Sequence, residues 1–329
     1  MTLATSRRGF TAGLAALAVL PSIAEARRSG RYDAIVRGGT VFDGLGGAPF
    51  EADVGIAGGR IAAIGKLRQA RGALEIDARG QAVAPGFINM LSWANESLIE
   101  DGRSQSDIRQ GVTLEVMGEG WTMGPLTEEM KRREMRQQDD IRFDIGWTSL
   151  AQYLGFLEAK GVSCNVASYV GATTLRMHEV GYDDVRASPD QLRRMQDLVR
   201  AEMRGGALGV GSSLIYAPGN FANTDELVAL TQAAAEFGGG YISHMRSEAE
   251  RYFESIDELI EIGRRARARV QMYHIKPAGK DNWDKADAGL ARMDAARRAG
   301  IDVSANLYTY TAGSTGLYAT MPLWVQQGG

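Results

Sequence analysis

Residues 240–274 read GYISHMRSEAERYFESIDELIEIGRRARARVQMYH, and this stretch decides the fold class. Two runs of β-forming residues, Gly240–His244 and Val270–His274, flank a helical stretch at Ala249–Ala268. Buried strands that alternate with helices of about ten or more residues are typical of a parallel sheet with crossover helices. The stretch therefore predicts one unit of an α/β fold.

The same alternation extends along the chain in both directions. Helical stretches are predicted at Pro189–Arg204 and Asp225–Phe237. The further predicted strands are Val83–Met90, Thr113–Met117, Cys164–Val170, Ala207–Ser213 and Asp302–Asn306. Together the strands favour an incomplete (β/α)8 barrel of the TIM type with one strand missing, and an open doubly wound sheet is the alternative. A barrel places its chemistry at the carboxyl ends of its strands.

The region ahead of the barrel has a different rhythm. Short runs of β-forming residues are separated by glycine pairs at hairpin spacing; the runs are Tyr32–Arg37, Thr40–Gly44, Asp53–Ile56 and Arg60–Gly65. This pattern predicts a small all-β domain at 31–84, followed by the barrel at 85–329.

The first 26 residues have the features of an export signal. Ser6–Phe10 contains a twin-arginine pattern, an apolar run extends from Ala12 to Ile23, and Ala24–Ala26 matches a cleavage site with small residues. We therefore expect a bacterial twin-arginine signal peptide at 1–26 and a periplasmic or secreted protein. An amphipathic or core helix is the alternative interpretation.

The composition of the chain bears on whether it binds nucleic acid, spans a membrane or forms a disulfide. The formal net charge is −3 and no basic stripe is present, so the sequence gives no indication of nucleic-acid binding. No later stretch of about 18 apolar residues predicts a membrane span. Cys164 is the single cysteine, which excludes an internal disulfide. Its place in a predicted buried strand favours a packed core thiol over a metal ligand. The sequence is silent on oligomeric state.

The chain contains three histidines, and two of them end consecutive predicted strands. His244 and His274 would both point to the barrel mouth, and neutral imidazole is a common zinc ligand. A histidine at a strand end can equally serve as a hydrogen-bonding residue, so both interpretations stay open. The third histidine, His178, lies outside the predicted strands and is interpreted as a surface or loop residue.

Several segments together resemble one enzyme family, the N-acyl-D-amino-acid deacylase (D-aminoacylase) branch of the amidohydrolase superfamily. The resemblance extends from about residue 32 to the last residue. It implies a small β-sandwich-type domain ahead of a TIM-like barrel, a bound zinc ion, and hydrolysis of the amide bond of small-molecule N-acyl amino acids. The segments are Tyr32–Gly44, Ala84–Ile88, Gln110–Thr113, Gly206–Gly209, Tyr216–Gly219, His244–Glu248 and Tyr308–Thr315.

The resemblance also implies roles for single residues. His244 and His274 match the two metal ligands that the family takes from strands five and six. The residues that resemble the family's substrate-binding groups are Lys276, Tyr308 and Ser314 for the substrate carboxylate, and Tyr216 in the pocket wall. For Lys276, a solvated lysine is the alternative interpretation.

Three departures from the family pattern change the expected site. Leu91-Ser92-Trp93 stands where the family has H-x-H, and no cysteine follows the second strand. Glu119 lies one position from that cysteine's register, either as a metal ligand or as a hydrogen-bonding loop residue. The family's catalytic aspartate would fall beyond Gly329, so the catalytic residue is unknown and we expect little turnover by the 329-residue chain itself.

These departures lead to a specific expectation for the metal. We expect one zinc ion held by Glu119, His244 and His274, with Leu91 and Trp93 as apolar filling beside it. A degenerate amidohydrolase-fold binding protein and an inactive gene fragment are the alternatives. Retention of both strand-end histidines together with Lys276 favours the enzyme.

Overall fold

A computed structural model describes residues 24–27 and 29–326 of the chain. The chain divides into two compact units, and the boundary lies between Gly86 and Phe87. The twin-arginine pattern and the apolar run that ends at Ile23 lie outside the described residues. Within the described ranges, no helix combines the length and apolar character needed to cross a membrane.

The first unit is a small all-β unit built on one long strand. Strand β1 pairs antiparallel with β2 and parallel with β4 and β5, while β2 also pairs antiparallel with β3. In the part of this unit that the structure describes, all five strands belong to one sheet, so the two facing sheets of a sandwich are not seen there. The strands are β1 (Arg31–Val41), β2 (Phe50–Ala57), β3 (Arg60–Gly65), β4 (Arg71–Asp77) and β5 (Ala82–Val83).

The strands of the second unit are all parallel and their spatial order follows the chain. One ladder contains β6 to β8 and the other contains β9 to β13, and Tyr169 separates β8 from β9. A doubly wound sheet would reverse its order at a switch point. The unreversed order confirms the predicted incomplete barrel. Its strands are β6 (Phe87–Asn89), β7 (Val112–Met117), β8 (Asn165–Ser168), β9 (Val170–Gly171), β10 (Gly209–Ser213), β11 (Gly240–His244), β12 (Val270–Met272) and β13 (Val303–Ala305).

Helices alternate with these strands, and local sequence fixes where the longer ones begin. At the start of α6, Ser188 and Gln191 form a reciprocal capping box around Pro189. The three predicted helices correspond to α6, α7 and α8, with small shifts at their ends. The helices are α1 (Ser97–Glu100), α2 (Gln105–Ile108), α3 (Glu128–Gln137), α4 (Leu150–Lys160), α5 (Ala172–Glu179), α6 (Pro189–Gly205), α7 (Thr224–Ala235), α8 (Tyr252–Ala266) and α9 (Ala286–Arg298).

The core lies between the parallel strands and these helices. Ile256, Leu259 and Ile262 of α8 recur at helical spacing, are buried, and belong to the same apolar cluster as Tyr241 and Val270 of the strands. Burial of each such aliphatic side chain contributes about 1.5–3 kcal/mol. This packing holds β11 and β12 side by side, and the candidate site lies at their carboxyl ends.

The fold also shows the places of Cys164 and His178, for which the sequence predicted a core thiol and a surface or loop residue. Cys164 is buried just ahead of β8, its thiol lies 3.5 Å from the Val112 carbonyl oxygen, and burial raises the pKa of that thiol. It is therefore a packed core thiol, as predicted. His178 lies in the last turn of α5, not in a loop, and contacts Glu179.

Candidate metal centre

A glycine–glutamate–glycine turn after β7 places Glu119. Gly118 and Gly120 have φ angles of 109° and 81°, a conformation that glycine adopts without steric cost. A Cβ atom on Gly118 would lie 2.6 Å from the Tyr169 carbonyl oxygen, and one on Gly120 would lie 2.8 Å from the Ser213 Cβ. Both positions therefore require glycine, and Glu119 between them is buried.

Glu119 meets the two strand-end histidines. Its Oε1 atom lies 2.9 Å from His244 Nδ1 and 3.3 Å from His274 Nε2. One ligand atom from each residue lies within 4.8 Å of the other two, and all three side chains are buried. We call Glu119, His244 and His274 the metal cluster. These are the three residues that the sequence proposed as ligands.

The backbone of His274 is strained and held from the neighbouring strand. Its φ angle is 33°, which non-glycine residues rarely adopt and which persists only where the surroundings impose it. The His274 N–H donates to Asn306 Oδ1 at 2.7 Å, and the Asn306 N–H donates to the Met272 carbonyl at 3.0 Å. Asn306, which directly follows β13, therefore holds the His274 backbone in this conformation. No role was predicted for Asn306 from the sequence.

Glu248 supports His274 from the other side of the ring. Its Oε1 atom lies 3.0 Å from His274 Nδ1 and accepts a hydrogen bond from Lys276 Nζ at 2.7 Å. A metal-bound histidine usually donates a hydrogen bond from its second ring N–H to such a carboxylate, and this bond fixes the orientation and the tautomer of the ring. Sequence reasoning missed this role, although Glu248 stands four residues after His244 in the quoted motif.

The charges of the cluster are strongly coupled. Burial alone would raise the pKa of Glu119, but its hydrogen bonds with His244 and His274 lower that pKa to about 2. Burial would lower the pKa of His274, but the carboxylates of Glu119 and Glu248 raise it to about 9. A divalent cation would displace a proton here, because metals bind the neutral imidazole and the ionised carboxylate.

The donor set suits zinc. Two imidazole nitrogens and one ionised carboxylate oxygen converge on one point, and catalytic zinc commonly has three protein ligands of these types and an open position. The nitrogens nearest Glu119 are Nδ1 of His244 and Nε2 of His274, so these two atoms are the ones that could bind together with Oε1. The residues present therefore fit the metal that the sequence led us to expect.

Three of the four proposed substrate-binding residues lie beside the metal cluster. The Tyr216 ring is 5.6 Å from the His244 ring, and its hydroxyl is 2.7 Å from Thr315 Oγ1. The Tyr308 ring is 6.2 Å from the His274 ring and 5.4 Å from Lys276 Nζ. Ser314 is exposed, and none of the described contacts brings it to the cluster.

Trp93 makes a polar contact that the sequence did not predict. Its indole Nε1–H donates to Glu119 Oε2 at 2.8 Å, and the side chain is 55% exposed. The expectation that Trp93 and Leu91 are only apolar filling is therefore incomplete, because Trp93 binds the carboxylate of the cluster.

Comparison with known proteins finds N-acyl-D-amino-acid deacylases among the relatives of this chain. No family model matches the chain. An N-acyl-D-glutamate deacylase of Alcaligenes xylosoxydans xylosoxydans is 35% identical over 288 residues, which cover 87% of this chain and 58% of that protein. A D-aminoacylase of the same organism is 33% identical over 288 residues, which cover 86% and 58%. The chain thus spans less than two thirds of the length of these relatives.

Solved structures agree with the sequence relatives. A crystal structure of D-aminoacylase superposes with a TM-score of 0.77 at 33% identity, covering 86% of this chain and 59% of that one. The N-acyl-D-glutamate deacylase of Bordetella bronchiseptica, complexed with zinc and a phosphonate that mimics the tetrahedral intermediate, superposes with a TM-score of 0.75 at 30% identity, covering 85% and 59%. Along the part that they share, this chain is therefore similar in both sequence and fold to the D-aminoacylase branch of the amidohydrolases.

Proposed function

We propose that the protein is a zinc-dependent amidohydrolase that hydrolyses the amide bond of N-acyl amino acids, releasing a carboxylate and a free amino acid. The observation that carries this proposal is the buried metal cluster at the carboxyl ends of parallel strands, where barrels place their chemistry. The relatives include an N-acyl-D-glutamate deacylase and a D-aminoacylase, which supports the D configuration for the amino acid.

We further propose a single zinc ion, bound by Glu119 Oε1, His244 Nδ1 and His274 Nε2. Neither Leu91 nor Trp93 can donate a lone pair to zinc, which supports one ion. A D-aminoacylase relative has a binuclear metal centre in which one metal activates and the second attenuates, so a one-metal site is compatible with activity in that relative.

In this proposal each nearby side chain has a defined task. A bound zinc ion would supply a Lewis acid for the amide carbonyl and for the attacking water. Lys276 would hold the substrate carboxylate through a charge-assisted hydrogen bond. Tyr308, beside the Lys276 ammonium, and Tyr216, beside His244, would form the walls against which the substrate lies. Glu248 would keep the His274 imidazole in its ligating orientation.

Metal analysis combined with a substrate screen tests the proposal. The full-length gene product, dialysed against metal-free buffer, is expected to retain one equivalent of zinc and to hydrolyse N-acyl-D-amino acids faster than their L enantiomers. Two equivalents of zinc would refute the single site. Zinc binding without hydrolysis of any N-acyl amino acid would instead favour a binding protein built on this fold.

We also propose that the protein is exported through the twin-arginine route, which rests on the sequence of residues 1–26. Replacement of Arg7 and Arg8 by lysine, written R7K/R8K, is expected to keep the protein in the cytoplasm, as followed by cell fractionation. N-terminal sequencing of the exported wild type should begin near Arg27. Normal periplasmic delivery of the double variant would contradict the proposal.

A further inference from the structure

The loop after β6 is fastened to β7 immediately before Trp93. The Ser92 N–H donates to the Val116 carbonyl at 2.8 Å, and the Ser92 hydroxyl donates to Glu115 Oε2 at 2.7 Å. Glu115 and Ser92 are both buried. The backbone at Trp93 is therefore held close to the strand that leads into the Glu119 turn.

The two carboxylate oxygens of Glu119 have separate partners. Oε1 faces His244 Nδ1 and His274 Nε2, whereas Oε2 accepts the hydrogen bond from the Trp93 indole. An indole N–H is a donor only and cannot bind a cation through its nitrogen lone pair. The structure therefore leaves one oxygen of Glu119 directed at the histidines and occupies the other with a proton donor.

We propose that Trp93 is a positioning residue of the metal centre: its N–H holds Glu119 so that Oε1 alone serves as a ligand and Oε2 is withheld from a second ion. This inference rests on the proposed metal role of the cluster. A carboxylate that bridges two ions through its two oxygens must offer both of them, and here the second oxygen accepts the Trp93 N–H. Hydrogen bonds to ligating carboxylates typically change metal affinity 10- to 100-fold.

The exposure of Trp93 separates this role from a packing role. The side chain is 55% exposed, so removing its indole leaves the buried core nearly unchanged. Its contribution is therefore expected in metal affinity and not in the stability of the metal-free fold. Trp283 is a matched reference, since it is also a tryptophan of the second unit, is 63% exposed, and lies on the 3-10 helix Lys280–Lys285.

The test measures zinc affinity by chelator competition in the full chain and three variants. Trp93→Phe keeps an aromatic ring without the N–H and is expected to bind zinc about 10- to 100-fold more weakly. Trp93→Gln restores an N–H, because its Nε2 lies as many bonds from Cβ as the indole Nε1, and is expected to recover part of the affinity. Trp283→Phe should match the wild type.

Two further readouts complete the test. Zinc should change the tryptophan fluorescence of the wild type and of Trp283→Phe more than that of Trp93→Phe. Without metal, the wild type and these two variants should have the same melting temperature. Wild-type affinity in Trp93→Phe, no recovery in Trp93→Gln, or saturation of the wild type at two equivalents would overturn the inference. Failure of the wild type to bind zinc would overturn the proposed metal site as well, which distinguishes the two failures.

Discussion

The metal cluster and the segment after β13 contribute to the same site but differ in how deeply their residues are buried. Glu119, His244 and His274 are buried and stand at or just beyond the ends of β7, β11 and β12. The outer segment, which we define as residues 308–315, is half-buried to exposed. Within it, Tyr308 and Tyr310 stack on each other at 4.9 Å between ring centroids.

The difference shows which part of the site the barrel fixes. The cluster takes its geometry from strand ends and from hydrogen bonds such as the one that the His274 backbone N–H donates to the Asn306 side-chain oxygen. The outer segment approaches the cluster through side chains, for example where the Tyr308 ring lies 6.2 Å from the His274 ring. Loss of a cluster residue should therefore abolish metal binding, while changes in the outer segment should adjust substrate binding only.

The largest effect is expected from removing a cluster histidine. His244→Ala or His274→Ala removes one of three proposed ligands, and tight zinc binding usually needs three. Zinc affinity should fall by more than the roughly 100-fold that supporting residues contribute. Metal content after dialysis measures the loss, and His178→Ala is the matched control because His178 contacts Glu179 on α5, outside the cluster. Retention of zinc by either cluster variant would show that the ligands lie elsewhere.

A smaller effect on zinc affinity is expected at Glu248, which contacts the cluster residue His274. Glu248→Gln keeps the size of the side chain but weakens its hydrogen bond to His274 Nδ1 and its ion pair with Lys276. Zinc affinity should fall about 10- to 100-fold, as for other carboxylates that orient a ligating histidine. Chelator competition measures this change, and Glu254→Gln on the exposed side of α8 serves as control. An unchanged affinity would mean that the hydrogen bond of Glu248 does not orient the His274 ring.

The strand-end histidines could be predicted from the sequence, while their supporting contacts could not. His244 and His274 end two buried runs of β-forming residues, and a parallel arrangement brings such ends together. Glu119 was proposed because its position resembles that of a family ligand. The positions of the two histidines could be predicted because the strand pattern depends on local sequence.

The partners that the sequence did not reveal come from loops that fold back over long sequence separations. Glu248 meets His274 across 26 residues, and Trp93 meets Glu119 across the same separation. No local pattern encodes either contact. Trp93 was predicted to be apolar filling because most of its side chain is an apolar ring. Its indole N–H is nevertheless the group that contacts the cluster. Ser314 shows the opposite case, because its proposed role came from resemblance and its exposed loop gives it no described contact with the cluster.

An intermediate effect, on substrate and not on metal, is expected at Lys276. Lys276→Ala removes the ammonium that lies between Glu248 and Tyr308. KM for substrates with a free carboxylate should rise roughly 10- to 150-fold, because a charge-assisted hydrogen bond that contributes about 1.5–3 kcal/mol to binding is lost. Steady-state kinetics with a matched carboxyl-esterified substrate provide the control. Equal damage to both substrates would indicate that Lys276 acts through Glu248 and the metal cluster instead.

The smallest effect is expected at Ser314, on the exposed outer segment. If its hydroxyl donates to the substrate carboxylate, Ser314→Ala loses one hydrogen bond of about 0.5–1.5 kcal/mol and raises KM roughly 2- to 10-fold. Zinc affinity should stay at the wild-type value, because the cluster is held by strand ends that Ser314 does not contact. Kinetics and chelator competition on the same preparation measure both quantities, with Thr320→Ala on the nearby 3-10 helix Leu317–Thr320 as control. A loss of zinc in Ser314→Ala would break the distinction between the two sides, since the outer segment would then help to build the metal cluster. An unchanged KM would instead restrict substrate binding to Lys276, Tyr308 and Tyr216, the residues that the structure places against the histidines.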